Sequence, residues 1–242
     1  MPPISLDQDF HVHSHYTPGV KSTVQENLRE AEWAGLRTLC LVDHADATSS
    51  WLDERREAVR ALRPMTNIEV LCGIEVDLVD VRGNLDLPAT VGLDHVLIAD
   101  HHFPSEDGPR TLDEVRASLD RGTISPSDVV SHLIEATVAA MSRVERPIIA
   151  HPFSFLGQLG FDDAAITSSQ LQHFAQRART TQALVEVNEK WTCPGPRVVS
   201  ALAQHGVHLV AGSDSHRYES VGAYRYVRDT LGAVATGTPP GF

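Results

Sequence analysis

The stretch Asp9-Phe10-His11-Val12-His13-Ser14-His15 decides how the rest of the chain is read. It reads as a first β-strand in which three histidines alternate with other residues. Alternate side chains of a strand share a face, so His11, His13 and His15 are expected to converge on one point. Imidazoles gathered beside carboxylates are the usual ligands of zinc, manganese or iron. A strand carrying histidines toward solvent has the same local pattern, so the decision falls to what the other strands contribute.

Strand-like and helix-like stretches alternate along the chain. Apolar runs at 37–42, 68–75, 95–99, 148–150, 184–188 and 207–211 read as six further strands. Between them lie helical patterns. Ser22 or Thr23 is placed to cap the first, with Gln25 or Glu26 three residues on. Residues 51–62 form the next, stopped before Pro64. Ser125-Pro126 opens a third at N-cap and first position. Ser169 and Gln172 are expected to cap a fourth. Residues 196–205 and 221–231 complete the set. Residues 78–87 read as a rim hairpin, and 103–123 as a long loop with a short helix near 112–119. Seven apolar strands alternating with helices predict an α/β fold with a parallel sheet and helical crossovers. No internal repeat or composition break interrupts it. Residues 1–242 are therefore expected to form one domain, with 232–242 as a loose Gly-, Thr- and Pro-rich tail.

The length of 242 residues suits an α/β barrel, which commonly takes about 250. The formal net charge of −12 argues against a general nucleic-acid surface, and divalent ions would offset part of the acidic excess. Cys40, Cys72 and Cys193 match no zinc-ribbon or CxxC spacing, so reduced thiols and a cytoplasmic setting are expected. The start Met1-Pro2-Pro3-Ile4-Ser5 is not the pattern of a signal peptide, and no apolar run has the length of a membrane span.

The strand ends carry a coherent set: His11 and His13, then His44, Glu75, His101, His151, and finally Asp214 and His216. Each alone has a dull explanation as a packed polar group. Six strand ends carrying ligand-type residues by coincidence is improbable. The ends of parallel strands are also where α/β barrels and open α/β sheets place their sites.

In order, Asp9-x-His11-x-His13-Ser14, Val42-Asp43-His44, Gly73-Ile74-Glu75, Asp94 with His101, Ile149-Ala150-His151-Pro152 and Gly212-Ser213-Asp214-Ser215-His216 resemble the PHP (polymerase and histidinol phosphatase) family, in its histidinol-phosphatase-like branch. The resemblance implies a distorted (β/α)7 TIM-like barrel holding two or three divalent ions (Zn, Mn or Fe). It implies that His11, His13, Glu75 and Asp214 hold one ion. Glu75, His101 and His151 would hold a second, with Glu75 bridging, and His44 and His216 would belong to a third. Members of the family usually place a His or Asp six or seven residues after the second histidine. Here that region is Pro18-Gly19-Val20, which offers no ligand, and His15 is the candidate substitute.

Two divalent ions suit displacement at phosphorus, with a bridging water losing its proton to become the nucleophile. The chain has neither a GxSxG elbow nor a Walker-type loop. Glu75, Asp214 and His101 are expected at the reacting centre, with Asp9 and Asp43 as acceptors fixing imidazole tautomers. Lys190, Arg197, Arg217 and His102 are the candidates for holding a phosphate dianion. The expected activity is hydrolysis of a small phosphomonoester, histidinol-phosphate-like, with no nucleic-acid or membrane partner and an open oligomeric state. The alternatives are a phosphodiesterase or exonuclease, a hydrolase specialised for a cyclic phosphate or non-phosphate substrate, and a non-catalytic metal-binding module. The acidic balance and an aromatic content of only 6% weigh against the exonuclease.

Overall fold

The computed structural model describes residues 4–236. Seven parallel strands run in chain order around the sheet: β1 (Gln8–Val12), β2 (Thr38–Leu41), β3 (Glu69–Asp77), β4 (His95–Ala99), β5 (Pro147–Ile149), β6 (Leu184–Asn188) and β7 (His208–Gly212). Each pairs in parallel with the next. The seam between β1 and β7 is bridged just past the strand ends, where Val12 pairs with Ser215 and His13 N–H donates to Ser215 C=O at 2.9 Å. Asp9 ties the same seam, accepting from Ser213 N–H and Gly222 N–H, each at 2.9 Å. The result is a nearly closed TIM-like barrel.

The helices are α1 (Val24–Trp33), α2 (Leu52–Leu62), α3 (Leu112–Asp120), α4 (Pro126–Ala140), α5 (Ser154–Gln158), α6 (Ser168–Thr181), α7 (Pro196–Gln204) and α8 (Tyr226–Thr236). Four begin with reciprocal capping boxes: Thr23 with Glu26, Thr111 with Glu114, Ser125 with Asp128, and Thr167 with Gln170. The last replaces the expected Ser169–Gln172 pair, because Thr167 lies two residues earlier and Ser169 falls inside the first turn. The large outer core packs Leu133, Ile134, Phe155, Phe174, Val198 and Leu202 against the outward side chains of the strands. A smaller cluster that includes Phe10, Cys40, Leu97, Ile148 and Val210 draws only on strands and their ends, which places it on the inner face.

Several local expectations change. The 103–123 loop holds a small antiparallel hairpin, Phe103–Ser105 with Gly108–Arg110, and then α3. The last helix starts later than expected and runs through 232–236, in place of the expected tail there; residues 237–242 lie outside the described residues. Among the described residues, no helix is long and apolar enough to cross a membrane.

Candidate metal centre

The strand ends converge on Glu75, which lies within β3, since that strand continues to Asp77. Glu75 is buried and its two oxygens face different imidazoles. Oε1 lies 2.9 Å from His151 Nε2 and 3.4 Å from His101 Nε2. Oε2 lies 3.3 Å from His11 Nε2, 3.4 Å from His13 Nε2 and 3.1 Å from His44 Nδ1. None of these nitrogens aims a hydrogen bond at Oε2, which is left without a partner. Asp214 Oδ1 closes the other side, 3.3 Å from His13 Nε2 and 3.3 Å from His216 Nδ1.

The far nitrogen of each principal imidazole is tied down. His11 Nδ1 donates to Glu186 Oε1 at 3.0 Å, and His101 Nδ1 to Asp77 Oδ1 at 2.5 Å. His151 Nδ1 donates to Ser154 Oγ at 3.1 Å, backed by Asp100, which accepts from the same hydroxyl at 2.7 Å. His13 Nδ1 lies 3.1 Å from Thr17 Oγ1, and that hydroxyl itself donates to Asp43 Oδ1 at 2.8 Å. Thr17 must therefore accept from His13. Each ring thus keeps Nδ1–H and turns Nε2 inward, where it can carry a proton or ligate a cation.

This arrangement fits divalent cations. His11 Nε2 and His13 Nε2 lie 3.0 Å apart, so a proton or a metal cation must stand between or beside them to offset their lone pairs. Three groups of residues are close enough to share an ion: His11, His13 and Asp214; His44, Glu75 and His101; and His13, His44 and His216. Protons stand in for cations in the protein alone. Burial opposes charge on His11, but Glu186 and Glu75 hold it well above its ordinary value. Burial pushes His13 down to about 4. His151 rises to about 10 against its burial, through Asp100 and Glu75. Glu75, despite burial, is held well below the usual carboxylate range by His11 and His101.

Backbone strain helps to aim two of these groups. His151 and Asp214 have φ of 27° and 51°, in the left-handed region that non-glycine residues avoid. His151 N–H is fixed there by Glu186 Oε2 at 2.5 Å. Glu186 so positions a ring from β1 and a backbone turn after β5. A Cβ on Gly212 would come within 1.7 Å of Glu186 Oε1, so this closeness requires glycine. Glu186→Gln is expected to weaken metal binding about 10- to 100-fold, read by metal titration, because the amide cannot match the carboxylate as an acceptor.

Several expected residues take other places. His15 is exposed and packs on Tyr16, with ring centroids 4.3 Å apart. The alternation that would have aimed it inward ends at Val12, where the chain turns so that Ser14 N–H and Thr17 N–H both reach Asp43 Oδ1. Arg197 is spent on the backbone carbonyls of Asp163 and Ile166, the latter at 2.6 Å. Arg217 is exposed, and its bonds run through its backbone. Asp9 touches no imidazole nitrogen and holds the barrel seam; Asp43 acts on His13 through Thr17, and also holds the 14–17 turn. The tautomer-fixing acceptors are Glu186, Asp77, Thr17 backed by Asp43, and Ser154 backed by Asp100. Only Glu186 had a readable signal, a charge in the middle of the apolar run Leu184-Val185-Glu186-Val187.

Lys190 and His102 do reach the site. Both line a cleft of about 690 Å³ over the cluster, together with Tyr16, Trp51, Trp191 and Asp86. His102 Nδ1 lies 3.3 Å from Asp77 Oδ2. A concavity of about 530 Å³ on the outer surface, at Gln172, Gln176, Arg179 and His205, includes none of the strand-end ligands.

The sequence model of the PHP domain matches residues 9–225. The chain is 24% identical over 225 residues to a probable phosphatase of Thermoanaerobacter sp. (strain X514), covering 91% of this chain and 83% of that one. It is 23% identical over 249 residues to a probable phosphatase of Vibrio campbellii, covering 96% and 86%. Its fold is similar to the crystal structure of histidinol phosphate phosphatase from Lactococcus lactis, complexed with Zn, L-histidinol and phosphate, with a TM-score of 0.59 at 13% identity over 94% of this chain and 93% of that one.

Proposed function

Because the chain belongs to the PHP domain family, we propose that it is a hydrolase acting as a metal-dependent phosphatase on a small phosphomonoester. The observation that carries this reading is the unpartnered, buried Glu75 Oε2 with three imidazole nitrogens within 3.4 Å. The relatives named as probable phosphatases support the reaction class.

His11, His13 and Asp214 would hold one ion, and His44, Glu75 and His101 another, with His151 on the remaining face of Glu75. Divalent ions there would acidify water and offset charge on the phosphoryl oxygens. The chain's own residues do the rest. Lys190, at the cleft wall, binds a phosphoryl oxygen as a point charge. His102, which also lines the cleft and is held by Asp77, would protonate the leaving oxygen. Tyr16 and Trp51, with ring centroids 5.4 Å apart, offer an aromatic surface to the alcohol. A histidinol-like alcohol suits such a wall. The three free cysteines suit a reducing cytoplasm.

The exonuclease reading finds less support. Lys190 is the one Lys or Arg among the described residues lining the cleft, while Asp46, Asp77 and Asp86 line it too. Beyond the ions themselves, little positive charge is there to track a polyanion's backbone.

The test is phosphate release from histidinol phosphate, sugar phosphates, nucleoside monophosphates and an aryl diester, with Mn and Zn assayed separately. Release from one monoester is the expected result. Release from the diester alone would transfer the assignment to a diesterase.

A further inference from the structure

One side of the centre differs from the others in charge. Two of the three ligand groups contain a carboxylate, whereas His13, His44 and His216 are all imidazoles. Pro18 lines the cleft without a ligand atom, and His15 is exposed on the turn. What faces this side instead is an ammonium. Lys190 Nζ lies 3.0 Å from Asp214 Oδ1, and 3.2 and 3.4 Å from the two ring nitrogens of His216.

Asp214 is the carboxylate that would serve the His11 and His13 ion, and Lys190 already engages its Oδ1 on that side. The same Oδ1 is shared with the His13 and His216 rings, and Asp214 Oδ2 accepts from Trp191 Nε1 at 2.8 Å. The loop presenting Lys190 is held at both ends. Asn188 Oδ1 accepts from Trp191 N–H at 2.8 Å. The Glu189 carboxylate accepts three backbone N–H groups at the start of α8, those of Arg225, Tyr226 and Val227. The ammonium is therefore presented by anchored backbone.

We propose that Lys190 supplies the third positive charge of this centre, so that the protein loads two divalent ions and leaves the His13, His44 and His216 group without one. A divalent ion there would stand beside a like charge, with no carboxylate of its own between them. His216 then serves as an acceptor for Lys190 rather than as a ligand. The inference rests on the reading that the two carboxylate-bearing groups hold metal.

The experiment is metal content by mass spectrometry after loading with excess Mn or Zn and desalting, with circular dichroism to follow the fold. Wild type is expected to hold about two ions per chain, as in two-metal hydrolytic sites. Lys190→Ala is expected to gain one, and Lys190→Arg to gain none, since it keeps the charge. His216→Ala is expected to keep the wild-type content. A third ion in wild type, no gain in Lys190→Ala, or loss of an ion in His216→Ala would each overturn the proposal. Wild type holding no ion would overturn the phosphatase reading as well.

Discussion

Glu75→Gln is expected to empty the centre and lower phosphate release by about 10³-fold or more, the equivalent of about 4 kcal/mol of lost transition-state stabilisation. The reason is electrostatic. Glu75 is the one carboxylate lying within 3.4 Å of nitrogens from five imidazoles, those of His11, His13, His44, His101 and His151. An amide has nearly the same shape but no charge, and its NH2 end cannot ligate a cation. The check is metal content beside phosphate release with the best substrate of the panel. Full metal content in the variant would remove Glu75 from the centre.

The second large effect lies below the site. Arg55→Ala is expected to destabilise the fold by about 3–5 kcal/mol, the usual cost of leaving one member of a buried ion pair alone. For a domain of this size that corresponds to a fall in Tm on the order of 10 °C. Arg55 is fully buried within α2, and its Nε donates to Asp43 Oδ2 at 2.5 Å. Its Nη1 lies 3.3 Å from Cys72 Sγ, while Nη2 has no partner. The same Asp43 carboxylate accepts from Ser14 Oγ at 2.8 Å and from Thr17 Oγ1 at 2.8 Å. Loss of Arg55 therefore loosens the turn that positions Thr17 on His13. Thermal melts and metal titration of Arg55→Ala should show both losses. Asp43→Asn is the complementary variant, and a Tm near wild type in both would remove the pair from the account of stability.

Much of the scaffold was legible because it depends on local rules. Strands β4 and β6 match the runs at 95–99 and 184–188, since a strand covered on both faces is mostly apolar, with Glu186 the exception that serves the site. Ser125-Pro126 and Thr23 with Glu26 cap helices because a hydroxyl and an acid three residues on satisfy the first free N–H groups wherever the helix then packs. The ligand-type residues at successive strand ends were visible for a related reason. A parallel barrel brings all its C-terminal ends to one rim, so topology turns spacing into proximity.

Other features depend on partners far away in sequence. His15 follows the same alternation as His11 and His13, and only the turn gathered by Asp43 removes it from the face. Arg197 and Lys190 are both cations near the end of β6, yet one is consumed by the carbonyls of Asp163 and Ile166 while the other reaches Asp214. The groups that orient the ligand rings sit 175 residues from their histidine in the case of Glu186 and 24 in that of Asp77, at no fixed spacing. The sequence by itself determined the alternation of strands and helices and which residue types would meet at the rim. The tertiary structure alone decided which of those groups face one another, because a hydrogen bond or a shared cation is set by distance and direction across the barrel, and neither is encoded in local pattern.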